Sequence, residues 1–225
     1  MSEFSNVALN IHRYMLSQKP HIKKYLKLRE LHGEIMGKMM NFYYENPEKL
    51  KKETQTPRQT LMKLTTLQLD MEKREDCQLV CDLVVYPHGF NSDTCTYFLE
   101  HKKVRTQEKI EFVESMRNSK LGIYEIKEKL SSEGLVKLRN VLSTETVTIV
   151  DQGMSMSNTN NESQYLLLRI IETSDLCFQS GLIFVFQKKT LTKWLKKHKG
   201  NEILFNDVLD LYYLKENDRF LVKES

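Results

Sequence analysis

The chain has 225 residues, 40% apolar and 28% charged, a balance that supports a substantial core and falls in the ordinary globular class. No apolar run approaches the roughly 20 residues that span a bilayer, and the opening MSEFSNVALN lacks the basic and apolar regions of a secretory signal, so a cytoplasmic protein with no membrane partner is expected. The net charge of +4 is small but uneven: residues 188–200 hold six lysines and no acid, residues 1–60 hold 11 basic against 6 acidic groups, and the rest is net acidic.

From Pro20 to Asn46, Leu28, Leu31, Ile35, Met39 and Phe42 recur at spacings of three and four, which predicts a long amphipathic helix. Lys19, Lys23, Lys24, Lys27 and Arg29 occupy the other side of its first half. Pro47 and Pro57 bracket a linker, and Leu61, Leu64, Leu67 and Met71 predict a second helix. CQLVCDLVVY fits strand or helix by periodicity and is read as helix from its neighbours. Pro87, Gly89 and Asn91 mark a loop. Thr94–Lys102 and Thr106–Arg117 then read as two short helices, with Thr106 as N-cap and Glu108 in the first turn.

Five short runs rich in β-branched and aromatic residues follow: LGIYEIKE, GLVKLRNVL, ETVTIVD, YLLLRII and CFQSGLIFVFQ. Turns are expected at Ser131, Ser132, Glu133 and Gly134 and at Ser143 and Thr144. SMSNTNNESQ, polar apart from Met156, is expected to be a mobile loop. A basic helix Lys188–Lys199, closed by Gly200, and an acidic amphipathic helix through Leu204, Val208, Leu211 and Tyr212 complete the chain.

The run YFLEHKKVRTQEKIEFVESMRNSKLGIYEIKE, with GLVKLRNVLSTETVTIVDQGMSMS after it, resembles a group of uncharacterised bacterial proteins associated with an SEC-C metal-binding tail. The matching pieces are Ser119–Ile126, Leu138–Thr146 and Val147–Ser155, and CDLVVYPHGFNSDTCTYFLE resembles the helix, loop and helix that precede them; the likeness covers residues 76 to 187. It implies a helical half leading into a small barrel. The group's zinc ligands lie in a Cys-rich tail, and this chain ends in LYYLKENDRFLVKES without Cys or His, so the resemblance brings no zinc site. The expected fold is therefore α+β: a helical region over residues 1–118, a small five-stranded antiparallel SH3/OB-like β-barrel over 119–187, and C-terminal helices over 188–225 packed on the barrel.

No phosphate-binding glycine loop, nucleophile elbow or zinc-protease helix occurs. Cys77, Cys81, Cys95 and Cys177 lack paired spacing and read as small buried hydrophobes; Cys77 and Cys81 would share a helix face, but no second Cys or His pair follows, so no metal or cofactor is expected. His32 between Glu30 and Glu34 reads as a packing residue. His88, near Asp82 and Asp93, reads as a polar loop residue, and His101 follows Glu100.

Three functional readings compete, with catalysis the weakest because its motifs are missing. One is a binding or adaptor protein whose Met36, Met39 and Met40 form a contact with a protein partner or a second copy of the chain. Another is a nucleic-acid-binding protein. In it Lys188, Lys189, Lys193, Lys196, Lys197 and Lys199 face phosphates while Leu191 and Leu195 dock the helix on the barrel, and Trp194 is placed to stack or to pack. Tyr124, Phe178 and Phe186 suit a base-stacking barrel face or a core equally. A run of charge is most often a solvated helix face, and the sequence reading commits to a non-enzymatic binding protein.

Overall fold

The structure, a computed structural model, describes residues 13–45, 74–87, 94–157, 163–204 and 207–215. Helix α1 (Pro20–Glu45) begins on a proline whose missing N–H would have no partner in a first turn anyway. Ile35 and Met39 are fully buried along it, while Leu28, Leu31 and Phe42 flank them against the same cluster. The expected second helix through Leu61 and Met71 lies outside the described residues. CQLVCDLVVY is helical, as read, up to Val85 within α2 (Arg74–Val85), with Tyr86 just past its end. Leu79 and Leu83 of α2 enter one core and Val85 another, so this helix is wedged between the two.

Helices α3 (Thr94–Glu100) and α4 (Gln107–Arg117) follow. Thr106 caps α4 by accepting from the Lys109 amide, and Phe112, Val113 and Met116 form its buried face. The five apolar runs are the five strands β1 (Lys120–Leu130), β2 (Leu135–Asn140), β3 (Thr146–Val150), β4 (Gln164–Glu172) and β5 (Cys177–Gln187). All neighbours are antiparallel, in the order β3-β2-β1-β4-β5. Part of the expected loop is ordered: Asp151 accepts from the Met154 amide at 2.8 Å and caps the short helix α5 (Gln152–Met156), with Ser155 buried. Residues 158–162 of that loop lie outside the described residues.

The sheet curls, but its ladder does not close. Among the described residues no backbone pairing joins β3 to β5, and the two ends meet instead where Gln179 Nε2 donates to Asp151 Oδ2 at 3.3 Å. Five residues long, β3 turns into α5 at Asp151, while β5 bulges at Gly181 (φ +128°), where Ser180–Leu182 lie opposite Arg169 alone. The inner face of the curl holds Tyr124, Val136, Leu138, Ile149, Leu166 and Leu168.

The outer face is covered over part of its width. Ile123, Leu167, Phe184 and Phe186 lie beneath α2, α6 (Lys188–His198) and α7 (207–215), and Ile171 and Phe178 lie beneath α1, α3 and α4. Tyr124, Phe178 and Phe186, which alternation alone left on either side, are all core residues. No helix among the described residues is long and apolar enough to cross a membrane.

Candidate functional site

Helix α6 is docked by Leu191, which is fully buried, with Leu195 half-buried beside it. Trp194 packs partly on the same core. Its ring stacks on His198 at 3.9 Å and 11°, and its Nε1 is buried with no hydrogen-bond partner. One indole face is thus covered from within the chain, so of the two roles anticipated for Trp194 the structure shows packing. His198 in turn lies 3.1 Å from Asp207 Oδ1, which ties the end of α6 to α7.

The opposite face of α6 is lysine apart from Thr192. Lys189, Lys193, Lys196, Lys197 and Lys199 are exposed, and none of the ion pairs among the described residues uses them. The helix contains no acid, and its last turn holds Lys196 and Lys197, where positive charge suits the helix dipole.

Lys188, the sixth lysine, differs. It sits 5.1 Å over the Tyr165 ring and 3.6 Å from Glu125 Oε2 on β1. The same carboxylate pairs with Lys127 at 3.2 Å and with Arg139 of β2. Burial pushes the Glu125 carboxyl up, but Lys127, Arg139 and Lys188 outweigh that and hold it below the ordinary carboxylate range. Helix α6 therefore starts at a cluster in which three cations share one anion.

The methionines are placed differently from a surface patch. Met39 is fully buried, and Met36 and Met40 are half-buried against the core under α1, because the i, i+3, i+4 spacing that groups them also turns them inward. His32 is buried, with Nε2 2.6 Å from Tyr86 Oη. Burial, with Arg29 adding to it against the opposing pull of Asp82, lowers His32 to about 4 and keeps it neutral. His101 stacks on Tyr97 at 4.0 Å, and His88 lies outside the described residues. Cys77 and Cys81 do share a face; burial and the neighbouring Cys77 push the Cys81 thiol up to about 12, far from a reactive thiolate. No group of three or more His, Cys, Asp or Glu among the described residues could hold a metal ion.

Sequence reasoning missed the buried ion pair between Asp82 of α2 and Arg169 of β4, and the two hollows at the ends of the curl. One, about 340 Å³, is lined by Ile126, Asp151, Met154, Leu166, Gln179 and Val185; Gln179 Oε1 is buried there without a hydrogen-bond partner. The other, about 350 Å³, is lined by Tyr124, Asn140, Glu145, Thr146 and Ile170 among others. Neither gathers a nucleophile, base and orienting partner.

Residues 19–202 match the model of a family of unknown function, DUF7986. No curated protein and no solved structure matches the chain.

Proposed function

The chain belongs to the DUF7986 family, and for it we propose a non-enzymatic binding role in which the lysine face of α6 engages the phosphates of a nucleic acid. The observation that carries this reading is the division of α6 into two faces. Leu191 anchors one side, and Lys189, Lys193, Lys196, Lys197 and Lys199 point outward without a carboxylate among them. An array of unneutralised ammonium groups on a fixed helix costs self-repulsion, and a polyanion relieves that while releasing its own counterions. The adaptor reading is weaker, because Met39 lies in the core rather than on a surface.

The curled sheet fits the reading as an incomplete barrel of the SH3/OB kind, whose outer strands bind oligonucleotides in other proteins. The order β3-β2-β1-β4-β5, with edges meeting at Asp151 and Gln179, supports that assignment.

A gel-shift assay at low salt with mixed DNA and RNA, single- and double-stranded, tests the role. Wild type should form a retarded complex that the Lys193→Glu/Lys196→Glu/Lys197→Glu variant loses while keeping its circular-dichroism spectrum. A variant that shifts nucleic acid as well as wild type would refute the role of α6.

A further inference from the structure

Ile123 of β1 lies beneath the helices, but past it the outer face of β1 runs on into open positions of β2 and β3. Lys127, Lys137, Arg139, Thr146 and Thr148 are all exposed there. The ladder fixes their arrangement: Thr146 opposes Arg139, which opposes Glu125, and Thr148 opposes Lys137, which opposes Glu128. Three cations of this face stand against two acids, Glu125 and Glu128. Adjacent to it, Lys188 reaches Glu125 from the first turn of α6.

We infer that this face is the second half of the α6 site, and that the continuous track takes a single-stranded nucleic acid. The inference rests on the proposed role of α6 and extends it by naming the rest of the surface and the class of strand.

Continuity is the first reason. The Glu125 cluster joins the two basic surfaces, so a chain of phosphates can pass from Arg139 and Lys127 to Lys188 and on along Lys189, Lys193 and Lys196. Neighbouring strands lie about 4.8 Å apart and α6 rises about 1.5 Å per residue, giving a path of about 25–30 Å. That matches the site sizes of small barrels that hold single strands. Shape is the second reason. This is the convex side of a curled sheet, and a duplex with a persistence length of about 150 base pairs would touch it along one short line, whereas a single strand can follow the turn. Tyr165, half-buried on the core, holds Lys188 over its ring and so fixes that lysine within the track.

Glu125 gives the inference a signature of unusual sign. Its carboxylate already sits among Lys127, Arg139 and Lys188, where a phosphate of the strand would sit, so it competes with the ligand for the same three cations.

The test is fluorescence anisotropy on the full chain with labelled oligonucleotides, single-stranded and duplex, in two lengths of roughly three and ten nucleotides, bracketing the smaller barrel sites. Arg139→Ala with Lys127→Ala should weaken binding of the longer single strand several-fold and leave the shorter one nearly unchanged, while the variant keeps the wild-type circular-dichroism spectrum at the assay temperature. Glu125→Gln should bind the longer strand several-fold more tightly. Binding lost with the α6 charge reversals but indifferent to Arg139, Lys127 and Glu125 would overturn the track while leaving the role of α6 intact. Duplex bound as tightly as the single strand would overturn the strand class. No binding to any oligonucleotide would overturn both readings together.

Discussion

Arg169 on β4 and Asp82 on α2 clasp each other through two parallel hydrogen bonds, Nε to Oδ2 at 2.9 Å and NH2 to Oδ1 at 3.0 Å, with both side chains almost wholly out of solvent. The guanidinium also lies 4.6 Å from the Tyr86 ring centre and donates to Ser119. Tyr86 in turn meets His32 of α1. A polar chain thus runs from the sheet through α2 to α1, inside an otherwise apolar contact, and every charge in it is paired. It sets how the helices lie on the sheet, and so which part of the outer face they leave open.

Breaking that clasp from one side should be severe. Asp82→Ala leaves a buried guanidinium without its counter-charge, and urea denaturation should show a loss of about 3–5 kcal/mol. Asp82→Leu combined with Arg169→Met removes both charges and should cost much less. A double variant as unstable as the single one would mean that the loss reflects packing rather than an orphaned charge.

His32 should make stability fall in mild acid. The folded protein holds it at about 4, below the ordinary 6.5, so the unfolded chain takes up a proton that the folded one resists. The contribution is complete above pH about 6.5 and is lost as pH drops towards about 4, at a slope approaching 1.4 kcal/mol per pH unit. Glu34, lowered to about 2 by hydrogen bonds from Lys109 and Lys38, acts in a separate window below about 4.5. Denaturation midpoints recorded from pH 7 to 4 should therefore flatten in His32→Gln; an unchanged slope would assign the loss to other groups.

Gly134 closes the β1–β2 turn at φ +69°, and a Cβ there would meet Ile22 Cδ1 of α1 at 2.8 Å. Gly134→Ala should lower stability by about 1–2 kcal/mol from the left-handed backbone alone, with the contact adding to it. Ile22→Val alongside Gly134→Ala should recover part of the added cost. Thermal melts that place both variants at the wild-type midpoint would contradict this.

The strands were legible because each is a run of Val, Ile, Leu, Tyr or Phe bounded by turn residues, and Thr106 was legible as a cap because Ser, Thr and Asp have that local role wherever they fall. What failed depended on distance in the sequence or on length. Arg169 reads as a lone charge in YLLLRII, and its partner Asp82 is 87 positions away. The convergence on Glu125 brings together Lys127, Arg139 and Lys188, only the first of which is local. Barrel closure could not be read from strand count, since it turns on β3 being five residues long. The polar loop was partly a helix because Asp151 caps it, a signal that its high Ser and Asn content obscured. The Lys188–Lys199 helix was found, and His198, four residues after Trp194 on the same helix, was a local signal for their stack that the reading of Trp194 left unused; that Trp194 also packs on the core needed the fold.

The salt dependence of binding to a single-stranded oligonucleotide tests the central claim most directly. The logarithm of the association constant should fall linearly with the logarithm of salt concentration, and Lys193→Glu/Lys196→Glu/Lys197→Glu should reduce the steepness by about 2, the effect of three lost phosphate contacts at about 0.7 each. Binding that ignores salt, or that keeps its wild-type slope in the variant, would contradict a phosphate-reading helix.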